Sequence, residues 1–418
     1  MRIIYELGLH IYAFIAFIIS PFNEKAHQWH IGRKETFRYL NSIIKDKDNI
    51  LWMHCASLGE FEQGRPLIEA IKNKFPEYKI LLTFFSPSGY EIRKNYALAD
   101  YICYLPLDTK RNARKFIKMV HPDKVFFIKY EFWMNYIEEL SLHKIPLYLV
   151  SAIFNPGQLF FKKSIGASWY RKILFRVSYF FVQNQQSADL LSDIGINNTT
   201  IIGDTRFDRV AKIAAQEKTL PIIEKFKGTS KLFVAGSSWP PDEKLLTEYF
   251  KKNKKTKIIF APHEVKESNI KRLISSFSEP VLRYSTAVKN KDINKYRILI
   301  IDCVGILSSI YRYADIAYIG GGFGVGIHNT LEAAIYNIPV LFGPNYKKFQ
   351  EAVDLEKQGI AFHISNQDEL TSHFDDLIND GNKVSKIKEK CCQFMQKNIG
   401  ATNMVINKVF DKQQSSQV

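Results

Sequence analysis

Residues 319–351 read IGGGFGVGIHNTLEAAIYNIPVLFGPNYKKFQE, and the order of residue types in this stretch decides the fold. An apolar run ends in Gly320-Gly321-Gly322, turns through Gly324 and Gly326, and meets His328-Asn329 at a helix start. Glycines lack Cβ atoms, so the backbone can turn sharply and approach a ligand. The free N–H groups of a following helix suit a phosphate or a carboxylate. Asn329 and Glu332 stand three apart, the spacing of a capping box, so they either tie off the helix or face the ligand. A helix predicted over 330–336 leads into a strand over 339–342 and then Gly343-Pro344-Asn345. Glycine loop, helix start with a carboxylate, and a second loop at the next strand end together describe a nucleotide pocket at the carboxyl edge of a parallel sheet.

Outward from this stretch the same alternation runs through the chain. Strand-length apolar runs are predicted at 50–55, 79–84, 101–105, 124–128, 147–151, 179–183 and 200–203, with helical patterns such as 62–74 and 112–120 between them. A second series covers 232–235, 257–261, 297–301, 316–319, 339–342 and 360–363. Such βα alternation implies two α/β domains, each a parallel sheet covered on both faces. The boundary falls between Gly203 and Lys231, where 204–228 is charged and helix-like. The expected organisation is an anchor at 1–22, a first domain at 23–205, a second at 206–400, and a tail at 401–418 whose last residues, QQSSQV, are expected to be disordered.

At 418 residues and 46% apolar content the chain is long enough for two globular domains. Lys and Arg outnumber Asp and Glu by 58 to 42, a net +16, which calls for a polyanionic partner. With no zinc-like Cys/His spacing and no basic helix with interleaved aromatics, nucleic acid is not that partner. An anionic membrane or a phosphorylated substrate remains. Five cysteines, two of them adjacent, do not form a disulfide framework and suit a reducing compartment; Cys55 and Cys103 lie in apolar runs and are expected to be buried.

Residues 1–22, MRIIYELGLHIYAFIAFIISPF, are mostly apolar, but the charge-free part, 11–22, is shorter than the ~20 residues a spanning helix needs. The segment therefore spans marginally or lies in one leaflet, and no small-x-small site marks it as a cleaved signal. Lys25, Arg33, Lys34 and Arg38 follow it, which places the body of the protein on the cytoplasmic side of the membrane.

The first strand ends in HCASLGE, residues 54–60. Ser57 and Glu60 again have capping-box spacing; the alternative is that Glu60, at a strand carboxyl end and facing an interdomain cleft, is a general base. The next strand ends in FFSPSGYE, where Ser86 can cap, Pro87 suits the first helical position, and Ser88 with Gly89 can offer donors to an anion. AGSSWPPDE repeats the layout with Ser237 and Ser238, and FAPHEV puts His263 directly after a strand.

HCASLGE, SPSG, GDTRFD (203–208), AGSSWPPDE, APHE and the glycine-rich stretch, taken in order, resemble the motifs of 3-deoxy-D-manno-octulosonic acid (Kdo) transferases, membrane-associated enzymes of lipopolysaccharide inner-core assembly. The resemblance runs from the anchor to about residue 362. It implies a GT-B fold, two Rossmann-like domains facing a cleft, and transfer of Kdo from CMP-Kdo to a phosphorylated lipid A precursor, lipid IVA, with inversion. It also gives Glu60 the essential glutamate's place. The last motif departs from the family's usual form at Ile327 and Ala333.

Transfer from a nucleotide sugar needs a base for the acceptor hydroxyl, stabilisation of the departing phosphate, and exclusion of water. Glu60 is the candidate base, and Arg206, Ser237, Ser238 and His263 are candidate phosphate or carboxylate contacts. Ser57, Ser88, Gly89, Gly322, Gly326, His328, Asn329 and Glu332 complete the expected substrate-binding set. If Glu60 only caps, the base is sought at His54, His263 or another carboxylate. Asp46-Lys47-Asp48 has the Asp-x-Asp spelling of metal-dependent transferases but precedes a strand, so neither metal nor cofactor is expected. Two rivals stand beside transfer. A nucleotide-sugar epimerase would need no anchor, and a membrane-tethered binding protein would need no pair of nucleotide-pocket-like domains.

Overall fold

The computed structural model describes residues 2–45, 47–216, 218–288 and 290–411. Asp46 of the Asp-x-Asp spelling and the QQSSQV end lie outside the described residues.

The chain divides into two compact units, residues 1–209 with 400–418 and residues 210–399. The first begins with helices α1 (Arg2–Ile19) and α2 (Glu24–Ile43). Its strands are β1 (Ile50–Cys55), β2 (Lys79–Phe84), β3 (Tyr101–Tyr104), β4 (Pro122–Ile128), β5 (Leu147–Ala152), β6 (Tyr179–Val182) and β7 (Thr199–Ile201). Between and after them run α3 (Leu58–Lys74), α4 (Pro87–Arg93), α5 (Lys110–Val120), α6 (Met134–Leu142), α7 (Ile165–Leu174), α8 (Gln185–Ser192) and α9 (Arg206–Ala215), within which the units divide.

The second unit continues with α10 (Pro221–Lys227), β8 (Leu232–Ser238), α11 (Pro240–Lys252), β9 (Lys257–Pro262), α12 (Glu267–Ser275), β10 (Val281–Arg283), α13 (Tyr284–Ala287) and β11 (Ile298–Ile300). It then runs through α14 (Leu307–Ile310), β12 (Ile316–Ile319), α15 (Leu331–Ala334), β13 (Val340–Phe342), α16 (Gln350–Lys357), β14 (Ala361–His363), α17 (Gln367–Asn379) and α18 (Gly381–Asn398). A last helix, α19 (Ala401–Phe410), belongs to the first unit.

Each unit holds one seven-stranded sheet, ordered β3-β2-β1-β4-β5-β6-β7 and β10-β11-β9-β8-β12-β13-β14. The pairings are parallel, as the continuous apolar runs require when helices cover both faces. In β1, Ile50 and Trp52 enter one core with Phe116, Phe127 and Tyr136, while Leu51, Met53 and Cys55 enter the other with Phe61 and Leu67. The order reverses direction between β1 and β4 in the first sheet and between β8 and β12 in the second. At such a switch point the connections leave to opposite faces and open a crevice beyond the strand carboxyl ends.

Three expectations need correction. The helix after the glycine loop is shorter than 330–336: α15 is four residues long, and Asn337, at φ 57°, turns the chain out of it. Val281–Arg283 forms an edge strand that was not foreseen. Residues 401–410 are not part of a tail. Ala401, Val405, Ile406, Val409 and Phe410 are buried in the first unit's core beside Phe61 and Leu67. Phe410 stacks on Phe75 with ring centroids 4.3 Å apart.

Helix α1 has 18 residues with mean hydropathy 1.6 and no buried residue, long and apolar enough to cross a membrane. Its polar start is held by the first unit. Tyr5 donates to the buried Asp108 at 2.6 Å, and Arg2 donates to Asn135 at 3.0 Å and pairs with Glu138 at 3.0 Å. Arg33 is one of the four cations that follow the anchor. It turns inward, stacks over Trp29 at 4.0 Å, and donates to the carbonyls of Trp29, Phe85 and Leu105. Burial pushes its guanidinium down to about 9.

Candidate active site

In the first unit, β1 delivers its carboxyl end directly into α3. Ser57 is the N-cap and Glu60 the third helical residue, so the capping-box reading is realised: Glu60 Oε2 accepts from the Ser57 amide at 3.0 Å and from the Ser57 hydroxyl. The cap uses one oxygen. Among the described residues nothing donates to Glu60 Oε1, so capping and acting as a base do not exclude each other. Phe85 and Ser86 donate their amides to Ala56 O at 3.2 and 2.7 Å, which brings the β2–α4 turn against the β1–α3 turn. Gly89 sits at that contact, and a Cβ there would lie 2.3 Å from the Phe84 ring and 3.0 Å from the Ser57 carbonyl carbon. Ser88 lies beside it, its hydroxyl 2.9 Å from that of Ser86. Ser57, Glu60, Ser88 and Gly89 therefore form one cluster at the β1/β4 switch point.

His54 is fully buried and both its ring nitrogens are used. Nδ1 is 2.8 Å from Thr83 Oγ1, and Nε2 accepts from Trp133 Nε1 at 2.9 Å. An indole N–H can only donate, so Nε2 carries the lone pair and the ring has no free nitrogen with which to take a substrate proton. Glu131 Oε2 lies 3.8 Å from His54 Nε2, directly beyond β4. Sequence reading missed this carboxylate, although the strand-end rule applied to β4 would have found it.

GDTRFD is a joint inside the first unit. Asp204 accepts from Gln63 at 2.8 Å and pairs with Arg206 at 2.7 Å. The Thr205 hydroxyl donates to Gln63 O at 2.5 Å, and Asp208 accepts from the amides of Gly400 and Thr402 at 2.5 and 2.6 Å. Arg206, expected at the phosphate, thus has a carboxylate partner in its own motif. The cation holds Asp204 below the usual carboxylate range even though burial, the largest influence, pushes it up.

In the second unit three loops meet at the β8/β12 switch. A Cβ on Gly320 would sit 2.3 Å from Ser237 O, and one on Gly322 would sit 2.5 Å from Gly343 Cα. Only glycine permits these backbones to touch, so the glycine loop is closed by packing against the loops after β8 and β13. Asp242 fixes the arrangement: its carboxylate accepts from the amides of Gly321 at 2.9 Å and Trp239 at 2.8 Å and from the Tyr318 hydroxyl at 2.7 Å. Burial raises its pKa. Gly326, at φ 140°, turns the loop towards His328, whose amide donates to Gly320 O at 3.1 Å.

Around this frame the aromatic rings assemble. His263 stacks on Trp239 at 4.7 Å and on His328 at 4.4 Å, and Trp239 Nε1 donates to His328 Nε2 at 3.0 Å. Burial pushes His328 down to about 4, with the His263 ring a second cause, and burial likewise lowers His263. The pair is neutral at pH 7 and offers flat faces and single N–H donors. Ser238 is turned away: it is buried and donates to Glu243 at 3.0 Å. Ser237 stays partly open at φ 51°. Asn329 stands one position before the N-cap, Thr330, whose side chain makes no cap bond; Asn329 accepts from the Leu331 amide at 3.1 Å and donates to Glu332 at 3.2 Å, so these two tie off the helix start without a regular capping box. Trp239 and Asp242 lay unnoticed inside AGSSWPPDE, because their partners at 321 and 328 are some eighty residues away.

Residues 32–209 match the family described as 3-deoxy-D-manno-octulosonic-acid transferase (kdotransferase). A relative of that name from Aquifex aeolicus is 28% identical over 354 residues, 83% of this chain and 91% of the relative. One from Rickettsia bellii is 26% identical over 412 residues, 93% of this chain and 96% of its own. Among solved structures, a putative UDP-N-acetylglucosamine 2-epimerase from Listeria monocytogenes covers 89% of this chain and 98% of its own, with TM-score 0.59 at 13% identity. The UDP-GlcNAc 2-epimerase from Neisseria meningitidis covers 87% and 100%, with TM-score 0.58 at 14% identity. At that identity the epimerases share the two-unit GT-B fold and nothing more, whereas the sequence relatives run through both units. Over residues 32–209 the chain is similar to the 3-deoxy-D-manno-octulosonic acid transferase family of glycosyltransferases, and relatives of that name resemble it through both units.

Proposed function

We propose that this protein transfers Kdo from CMP-Kdo to a phosphorylated lipid A precursor, lipid IVA, with inversion, at the cytoplasmic face of the inner membrane. The observation that carries the reading is the Glu60 carboxylate: one oxygen is locked by Ser57 and the other is open, at the switch point of the first sheet. The acceptor hydroxyl attacks the anomeric carbon of Kdo as its bond to the CMP phosphate breaks. The hydroxyl proton passes to Glu60 Oε1, and CMP leaves with the bonding pair. Holding Oε2 in the cap fixes the carboxylate's direction, which is what a general base requires.

The donor's place is in the second unit, where the glycine loop leaves backbone close to any ligand and the Trp239, His263 and His328 rings offer stacking faces. His263, His328, Ser237, Asn329 and Glu332 border this donor site. Helix α1 anchors the enzyme through its exposed apolar side, Ile3, Ile4, Leu7, Ile11 and Phe14, which enters one leaflet while Arg2, Tyr5 and Tyr12 hold the other side on the first unit.

The test is Glu60→Gln. The amide oxygen keeps the cap, and the amide nitrogen replaces the open oxygen. With radiolabelled CMP-Kdo and lipid IVA, label entering the lipid phase should fall ~10²–10⁴-fold while the thermal midpoint and CMP-Kdo binding stay near wild type. Transfer within a few-fold of wild type would reduce Glu60 to a cap and move the search to Glu131.

A further inference from the structure

Helix α5, KRNARKFIKMV, has two unlike faces. Ala113, Phe116, Ile117 and Val120 are buried in the first unit's core. Lys110, Arg111, Arg114, Lys115 and Lys118 are exposed on the opposite side, and no acidic residue interrupts them. Among the described residues Lys110, Arg111, Arg114 and Lys118 form no ion pair, while Lys115 lies 4.3 Å from the centre of the Phe37 ring. Four cations without counter-charge on three turns repel one another, so their arrangement fits an anion supplied from outside.

The other wall of this surface is α1. Glu6 and His10 of α1 and Thr109, Lys110, Arg111, Arg114, Lys115 and Lys118 line an open groove of about 720 Å³. Glu6 is the acid on that wall, and Arg2 stands 3.8 Å from it. Along the same helix Ile3, Ile4, Leu7, Ile11 and Phe14 are exposed. A helix fit for hydrocarbon and a helix rich in cations thus share one groove. Helix α5 follows β3, the edge strand, which lies two strands from β1 in the sheet at a spacing of ~4.8 Å per strand.

We propose that the α1–α5 groove seats the phosphate headgroups of anionic phospholipids in the bilayer that holds α1, fixing how the first unit rests on the membrane. This rests on the membrane reading of α1 given above. The acidic phosphate of a phospholipid matches the cations, and its acyl chains continue onto the apolar side of α1. The lipid acceptor carries phosphates too, but its reacting hydroxyl has to meet Glu60, so the occupant assigned here is the bulk lipid.

The experiment measures flotation of the full chain with vesicles of phosphatidylcholine alone and of phosphatidylcholine with phosphatidylglycerol. Wild type should bind both, prefer the anionic vesicles, and lose that preference at high salt. Each surface cation is worth about fivefold, so Lys110→Gln/Arg111→Gln/Arg114→Gln should lower binding to anionic vesicles on the order of a hundredfold. Binding to phosphatidylcholine should be unchanged. Neutralising Lys386, Lys388 and Lys397 of α18 is the control for net charge and should have far less effect. Equal loss in that control, an undiminished triple variant, or wild-type preference insensitive to salt would each overturn the headgroup site. Failure of wild type to bind either vesicle would instead overturn the anchor reading on which it rests.

Discussion

Phe410→Ala tests whether α19 is structural core or a loose end. The Phe410 ring is 5% exposed, lies stacked on Phe75 at 4.3 Å and 16°, meets Tyr78 edge-on at 6.1 Å, and has Lys124 Nζ 5.5 Å from its centre. Truncating a buried phenylalanine costs ~3–5 kcal/mol. A helix end near the chain terminus can settle into part of the space, so the lower end applies, about 3 kcal/mol. For a unit of this size that lowers the thermal midpoint by roughly 6–12 °C. Calorimetry in detergent reads the midpoint, and hydrogen exchange locates the loss. Peptides from β1 and α3 should exchange faster, because α19 packs on the helix that carries Glu60, and peptides from 210–399 should not change. A drop of less than ~2 °C, or faster exchange confined to 401–411, would show that α19 does not complete the core.

Gly322→Ala places a methyl 2.5 Å from Gly343 Cα; displacing that loop should cost ~1–3 kcal/mol and weaken CMP binding by calorimetric titration, with normal binding counting against the donor site. His328 supplies a pH signature. Its neutral ring, held at about 4 against ~6.5 in an unfolded chain, contributes stability that is present above pH 6.5 and lost as pH falls towards 4. Discounted for partial exposure, that is roughly 1–2 kcal/mol between pH 7 and 5, and His328→Gln, which keeps an acceptor for Trp239, should flatten the slope; an unchanged slope assigns it to other groups. Among the described residues no group of three His, Cys, Asp or Glu side chains could hold a metal, so transfer should survive a chelator; loss with EDTA and rescue by magnesium would overturn that expectation.

The sheets were legible because buried parallel strands are short unbroken apolar runs, and 50–55, 79–84 and 316–319 coincide with β1, β2 and β12. Val281–Arg283 was not, since three residues at a sheet edge carry too little pattern. Helix α19 shows the other limit. ATNMVINKVF has the helical period in Ala401, Val405, Ile406 and Phe410, but nothing in the period says that its apolar side returns to a core begun 350 residues earlier. The site followed the same division. Ser57 with Glu60 and the glycine loop are local in sequence, so their spacing exposed them. Trp239 with His328, Asp242 with Gly321, and His54 with Trp133 are pairs that only the fold brings together. Arg206 has a carboxylate partner two residues away, where a sequence motif cannot distinguish a ligand contact from an internal pair.

The bond from Asp208 to Gly400 and Thr402 makes residues 210–399 an insertion in the first unit, whose two ends leave and return side by side. Synthesis runs from the amino terminus, so the whole of the inserted unit is made before the α19 that the first unit needs. The half of the protein that begins first is the last to be finished. Until residue 410 arrives, the apolar ground prepared for Phe410 around Phe75 and Tyr78 stays uncovered.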